Sequence, residues 1–148
     1  MLKICEKKIL FWEPCFFIIF GIFHLHRIWA LVDRIGYADF WLDKLNNRGP
    51  FYFTLMGALS LLCILGIVTF FKNICCNYWW RWIYLFGGSY LIFDLCAILF
   101  KFSFWYDLLD SMFDVNSSYW NIIWLFFILL GAFSFALGII LLRQRKNR

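Results

Sequence analysis

The chain has 148 residues, of which 64 % are hydrophobic, 24 % aromatic and 16 % charged, and its formal net charge is +5. A soluble domain is typically about half apolar and a quarter charged, so this composition excludes an ordinary soluble globular protein and indicates a membrane protein. The basic residues are divided between short tails and loops, where they set membrane topology, and we therefore expect no binding of nucleic acid.

Four apolar segments fill most of the chain, and each has about the 20 residues that a helix needs to cross the hydrocarbon core. Isolated strands would leave their edges without hydrogen bonds in lipid, so helices are expected. The predicted fold is all-α and polytopic, a four-transmembrane-helix bundle that forms a single domain over residues 1–148. The predicted spans are residues 11–32, 51–71, 79–100 and 119–142.

The first span follows several lysines and therefore has the outline of a signal peptide. It is too long for one and has no small-residue cleavage site after it, so we expect a retained helix. At about 100° per residue, Glu13, His24 and Arg27 share one stripe of this helix, whereas His26 lies on the opposite side. Histidines that point in different directions are unsuited to holding one metal, and neither a metal nor another cofactor is expected.

The polar position at the start of this span has a simple structural interpretation. Glu13 precedes Pro14, and both residue types suit a first helical turn, where the helix end carries positive partial charge. We therefore expect Glu13 to cap the helix rather than to carry protons.

The first and third loops each contain a short amphipathic pattern. Apolar residues recur at helical spacing on one side and aspartates lie on the other, which is typical of a helix on a membrane surface. We therefore predict two interfacial helices on the outer side, with a solvated acidic face in preference to a cation site. Their apolar positions are Ala38, Trp41, Leu42 and Leu45 in one and Trp105, Leu108, Leu109 and Met112 in the other.

Membrane orientation follows from the distribution of Lys and Arg. Nine of these residues lie in or near the two tails and the second loop, which share one side of the membrane. Four lie in the first and third loops on the other side. Both termini are therefore predicted to be cytoplasmic. The six cysteines then avoid the outer loops and include no C-x-x-C spacing, so no disulfide scaffold is expected. The plasma membrane and the endoplasmic reticulum both stay open as the location.

Small residues on the fourth and second spans predict close helix packing. Gly131 and Gly138 share one face of the fourth span, and a neighbouring backbone can approach such a face closely. Gly57, Ala58, Ser60 and Cys63 offer the same opportunity on the second span.

Ionisable groups inside the spans are costly in lipid and mark a working site or a buried pair. With a rise of about 1.5 Å per residue, polar groups of all four spans reach a similar level in the outer half of the membrane. One interpretation is a ligand-binding pocket. The other is a buried ion pair of Arg27 with Asp94 that only fixes helix register. The predicted pocket is lined by His24, Arg27, Asp94, Thr54 and Asn121, with Asp33 and Lys101 at its rim.

Several short fragments resemble the EXPERA group, four-helix membrane domains that include the emopamil-binding sterol isomerases and the sigma-2 receptor. Gly21-Ile22-Phe23-His24-Leu25 is similar to the first-helix motif of the isomerases, in which a histidine and a following acid line the sterol pocket. Leu31-Val32-Asp33 resembles the first-helix aspartate of the sigma-2 receptor. Weaker similarities are Tyr90 with Asp94, Tyr119-Trp120 and the basic tail 145–148, which is similar to an ER-retrieval signal.

The chain also departs from that group at positions that carry chemistry. The second-helix glutamate of the isomerases has no counterpart in Met56-Gly57-Ala58, and Ile28 stands where the acid one turn after the histidine would be. The resemblance thus implies a four-helix domain with cytoplasmic ends more directly than it implies proton transfer.

Three classes of function stay open from the sequence. The first is binding or transport of a lipid-like or small amphipathic ligand, with membrane lipid as the partner. The second is an EXPERA-like enzyme acting on a sterol or another lipid, with His24 as acid or base and Asp94 as its orienting partner. The third is an accessory protein that binds a second copy of the chain or a larger membrane complex. We favour a non-enzymatic role, in the first or the third class.

Overall fold

The computed structural model describes residues 9–146, and the regular secondary structure of this part of the chain is all helical, without strands. The lysines of the N-terminal tail and the last two residues of the basic C-terminal tail, on which the predicted orientation partly depends, lie outside the described residues. The helices, in chain order, are α1 (Trp12–Leu25), α2 (Ile28–Val32), α3 (Arg34–Asn46), α4 (Pro50–Lys72), a π-helical segment (Ile83–Gly87), α5 (Gly88–Leu99), α6 (Ser103–Met112) and α7 (Trp120–Lys146).

Three stretches of helix within the described residues are long and apolar enough to cross a membrane, namely Trp12–Val32, Pro50–Lys72 and Trp120–Lys146. A fourth candidate is a pair of helices, Ile83–Leu99 and Ser103–Met112, between which the chain bends by 101°. By length and composition, three helices of the described residues could cross a membrane, or four if the bent pair counts as one. This is compatible with a multi-pass membrane protein.

The first span is interrupted where the sequence places its polar residues. Backbone hydrogen bonds there join residues three apart, from Arg27 N to His24 O and from Trp29 N to His26 O. Such a tight turn advances the chain by about 120° per residue instead of about 100°. The regular helical repeat on which the predicted stripe of Glu13, His24 and Arg27 depends is therefore interrupted after Leu25.

Both short helices predicted in the loops are present, as α3 and α6. Asp33 is the N-cap of α3, and its carboxylate accepts a hydrogen bond from Gly36 N at 2.9 Å. Tyr37 and Ala38 of α3 are buried against the beginning of α7, at Trp120 and Trp124. The apolar sides of the two short helices thus pack on protein, at Trp41 in one and Trp105 in the other.

Helices α1 and α7 pack with their backbones in near contact. A Cβ atom added to Gly131 would lie 2.8 Å from His24 Cβ, and one added to Gly138 would lie 2.9 Å from Ile18 N. A Cβ atom added to Gly21 of α1 would likewise lie 2.7 Å from the backbone nitrogen of Phe135 in α7. The predicted role of Gly131 and Gly138 is confirmed.

Helix α4 packs mainly on the π-helical segment and α5 and forms a second pair. Here Gly66 accommodates the ring of Tyr84, and Gly88 lies against Ile67. The prediction for Gly57 is wrong, because a Cβ atom there would meet nothing within 4 Å. The helical repeat turns Gly57 away from the partner helix that Gly66 and Cys63 face.

A buried hydrogen bond joins the two pairs. Glu13 is fully buried, and its Oε2 accepts a hydrogen bond from the hydroxyl of Tyr84 at 2.8 Å. Its Oε1 accepts one from the backbone N–H of Leu10 at 2.8 Å. Glu13 therefore lies in the first turn of α1, as predicted, where it binds the N–H of Leu10 just before the helix, and the carboxylate also connects α1 to the π-helical segment.

The cysteines differ in state. Cys76, which follows α4, takes part in a disulfide bond, whereas Cys15, Cys63, Cys75 and Cys96 are free thiols. The sequence predicts no disulfide scaffold, and the bond at Cys76 is a departure that bears on membrane orientation.

Candidate functional site: a cavity between two helix pairs

A cavity of about 360 Å³ lies between the α1–α7 pair and the pair formed by α4 with the π-helical segment and α5. Its wall is mostly apolar and aromatic, with contributions from the short helices α3 and α6. Small-molecule sites typically have volumes of about 300–1,000 Å³ and apolar walls with a few placed polar groups. The cavity therefore has the size and lining of a ligand site.

A small set of ionisable side chains interrupts this apolar wall. Three of them come from the end of α1 and the turn after it, one from α3 and one from α5. They are His24, His26, Arg27, Lys44 and Asp94.

His24 is 3 % exposed and lies among aromatic rings. Its ring centroid is 4.3 Å from that of Phe20, and its ring stacks on Phe127 at 5.7 Å. Neither ring nitrogen has a hydrogen-bond partner within residues 9–146. Buried polar groups are nearly always hydrogen-bonded in proteins, so this ring is suited to a partner that enters the cavity.

Arg27 projects from the turn that ends α1. Its guanidinium carbon lies 4.2 Å from the centroid of the Phe127 ring and 5.7 Å from the rings of Phe23 and Trp124. These cation–π contacts hold the charge in place but do not use its N–H groups. In the described part of the chain Arg27 Nε has no acceptor and the guanidinium forms no ion pair.

Asp94 lines the cavity from α5, and its Oδ1 accepts a hydrogen bond from Trp105 Nε1 of α6 at 2.7 Å. Arg27 and Asp94 attract one another electrostatically, yet no ion pair joins them within 4.0 Å among the described residues. The buried Arg27–Asp94 ion pair, which the sequence offers as the alternative to a pocket, is therefore not formed.

His26 lines the same cavity as His24, although the sequence predicts that the two rings point in opposite directions. The tight turn after Leu25 is the physical reason. The Nδ1–H of His26 donates to the carbonyl oxygen of Phe23, while Nε2 has no partner in the described residues. Within these residues no group of three His, Cys, Asp or Glu side chains could hold a metal ion.

Lys44 contributes to the wall from α3, but its charge already has a partner. Its ammonium lies 2.7 Å from Asp43 Oδ2. The hydrogen bond from Lys44 is the largest of the effects that hold the pKa of Asp43 below its usual value. Arg27 is therefore the cation of the wall with no partner among the described residues.

The structure brings together three of the six predicted site residues: His24, Arg27 and Asp94. The other three are exposed and are not part of the cavity wall. Each has a partner elsewhere. Thr54 Oγ1 donates to Pro50 O at 2.8 Å, Asn121 Oδ1 accepts from Arg34 Nη2 at 2.9 Å, and Asp33 caps α3. Lys101, predicted at the rim, is also exposed and outside the wall.

Several aromatic members of the wall were not predicted as site residues. Trp41, Trp105, Trp124 and Tyr52 all line the cavity. The sequence signal for the first two was present, because they lie on the apolar sides of α3 and α6. The side-chain polar atoms of Trp41, Trp124 and Tyr52 have no partners within the described residues.

No family model, no curated protein and no solved structure matches the chain. The function is therefore inferred from the cavity and its lining.

Proposed function

We propose that this integral membrane protein binds a lipid-like or small amphipathic molecule in the cavity between its two helix pairs. The observation that carries the proposal is the position of His24, which is buried, and of Arg27, which is half-buried, in the cavity wall. Among residues 9–146 neither ring nitrogen of His24 and no part of the guanidinium has a hydrogen-bond or ion-pair partner. A bound molecule with an apolar body and a polar end would satisfy both parts of the wall.

The cavity favours this function over that of an accessory protein with a filled core. An accessory role predicts tight packing around an Arg27–Asp94 pair, because buried charges in lipid need mutual compensation. The wall instead encloses about 360 Å³, and Asp94 is bound to Trp105. A second copy of the chain or another membrane protein stays a secondary candidate for a partner.

An enzymatic role like that of the sterol isomerases gains less support. It would use His24 as acid or base with Asp94 as the orienting group, since a catalytic base is held by a hydrogen bond to a third group. Asp94 accepts its hydrogen bond from Trp105, and His24 has no acceptor in the described residues. The EXPERA resemblance therefore supports a ligand pocket more than it supports the reaction.

The proposed arrangement in the membrane has four spans, with the bent pair of Ile83–Leu99 and Ser103–Met112 counted as one. Both termini are proposed to be cytoplasmic, which places the polar end of the cavity in the outer half of the bilayer. The short helices α3 and α6 then lie at the outer boundary. The plasma membrane and the endoplasmic reticulum are equally compatible with this arrangement.

Co-purification of lipids tests the proposal. The full chain is purified in mild detergent and its retained lipids are identified by native mass spectrometry. Leu59 lines the cavity from α4, whereas Leu61 on the same helix is 58 % exposed. We expect Leu59→Trp to remove the retained lipid and Leu61→Trp to keep it. Equal retention by both variants would overturn the proposal.

A further inference from the structure

We infer that the cavity selects an amphiphile with an anionic headgroup, a carboxylate or a phosphate monoester. The inference rests on the proposed ligand-binding function and adds the sign of the headgroup. It depends on which charged group of the wall has a partner and on the donor groups beside Arg27.

The cation of the wall without a hydrogen-bonded or ion-paired partner is Arg27. Lys44 pairs with Asp43 at 2.7 Å, whereas Asp94 forms no ion pair with the guanidinium among the described residues, and its Oδ1 accepts from the indole N–H of Trp105 at 2.7 Å. The indole is neutral, so Asp94 still attracts Arg27 electrostatically, but no acceptor among the described residues lies next to Arg27 Nε. A charged group away from water needs an adjacent counterion, and an anion next to Arg27 would supply it.

The groups next to Arg27 suit an anion with several acceptor oxygens. A guanidinium offers five N–H donors in a planar fork that matches a carboxylate or a phosphate in bidentate fashion. His24 precedes it by one turn, and its ring can supply one further N–H from a position that is 3 % exposed. A cationic headgroup would instead add positive charge next to Arg27 and leave the guanidinium without a partner.

The volume is sufficient for an acyl chain. About 360 Å³ lies within the range of about 300–1,000 Å³ that is typical of small-molecule sites, and the cavity is partly open, so a longer chain can extend beyond it. The wall that receives the chain is apolar and includes Leu59, Leu91 and Leu130.

Quenching of tryptophan fluorescence tests the inference directly, because Trp41, Trp105 and Trp124 line the cavity. The full chain is placed in nanodiscs of phosphatidylcholine and titrated with dodecyl compounds that carry bromine at the chain end. The headgroups are a carboxylate, a phosphate, an alcohol and a trimethylammonium. Affinity is taken from the saturable part of the quenching and expressed per mole fraction of the probe in the bilayer, at a pH at which the carboxylate is ionised.

We expect the carboxylate and the phosphate to bind at least about tenfold more tightly than the alcohol, which is the value of one good charge-assisted hydrogen bond. Comparison of the two anions with each other separates the two headgroup chemistries. Equal affinity for the alcohol, or tighter binding of the trimethylammonium compound, would overturn the inference and leave the proposed function standing. Absence of saturable quenching by all four compounds would contradict both.

Variants locate the preference at Arg27. Arg27→Gln is expected to lose the anion preference, and Arg27→Lys to keep part of it, since a lysine preserves the charge without the planar fork. Arg143→Gln is the matched control, because Arg143 is exposed near the end of α7 and outside the wall. Retention of the full preference in Arg27→Gln would overturn the assignment. If Arg27→Gln does not fold, Arg27→Lys and the headgroup series on the unmodified chain still decide the question.

Discussion

Trp105 and Asp94 are joined by a hydrogen bond of 2.7 Å from the indole Nε1–H to Oδ1, and this bond holds α6 against the cavity. The chain bends between α5 and α6 at Lys101, whose φ of 55° lies in the left-handed region that residues other than glycine rarely adopt. None of the residues of α6 is buried. Besides this bond, Leu109 and Met112 of α6 pack against a hydrophobic cluster while remaining partly exposed.

Trp105→Phe is expected to loosen α6, because the substitution keeps a ring but removes a hydrogen bond to a charged group, worth about 1.5–3 kcal/mol. Amide hydrogen exchange over 103–112 should become faster. Trp79→Phe is the control, since Trp79 is 59 % exposed and outside the cavity wall. Unchanged exchange in α6 would show that the bond does not hold the helix.

Gly131→Ala is expected to destabilise the protein by about 1–3 kcal/mol, because the new methyl group overlaps His24 Cβ at 2.8 Å and must push α1 away from α7. Gly57→Ala, with nothing within 4 Å, should be neutral or stabilising by up to about 1 kcal/mol. Free energies of unfolding in detergent titrations give the comparison. Equal effects of the two substitutions would contradict the close approach of α1 and α7.

Tyr84→Phe is expected to lower the free energy of unfolding by about 1–3 kcal/mol, because it removes the hydroxyl that donates to the buried carboxylate of Glu13 at 2.8 Å. Tyr119→Phe, at a position that is 67 % exposed, should change it by less than about 0.5 kcal/mol. The same titrations measure both variants. A loss no larger in Tyr84→Phe than in Tyr119→Phe would mean that this bond does not stabilise the joint between the helix pairs.

Cys75 reports on membrane orientation, because its thiol is free and exposed in the loop after α4. The Lys and Arg distribution predicts that this loop is cytoplasmic, so a membrane-impermeant maleimide should label Cys75 only after the cells are opened. The neighbouring Cys76 is disulfide-bonded, and such bonds are rare on a cytosolic face. Labelling of Cys75 in intact cells would reverse the predicted orientation.

The long helices are predictable from the sequence because their apolar signal is local. The predicted span 51–71 corresponds to Pro50–Lys72, and the predicted span 119–142 corresponds to Trp120–Lys146. The prediction of the third span over 79–100 is less accurate, because the π-helical segment begins at Ile83. Runs of aromatic residues such as Tyr78 to Trp80 have apolar character but do not by themselves determine where a helix begins.

The candidate site was predicted in part, and the reason lies in the direction of individual side chains. His24, Arg27 and Asp94 line one cavity, as the sequence predicts, because the rise of a helix gives the depth of each residue in the membrane. Thr54 and Asn121 have suitable depth, but whether they face the cavity depends on the rotation of each helix about its axis. That rotation is set by contacts such as those of Gly131 and Gly66, which the sequence does not specify.

Photo-crosslinking of a bound chain shows whether lipid enters the cavity. A single-chain lipid with a diazirine in the middle of the chain is added to the protein in nanodiscs, and the labelled residues are identified by mass spectrometry. We expect labelling of cavity positions such as Leu59 and Leu130, and an excess of unlabelled lipid should prevent it. Labelling confined to the exposed neighbours Leu61 and Leu129, without competition, would show that lipid only surrounds the protein and would overturn ligand binding in the cavity.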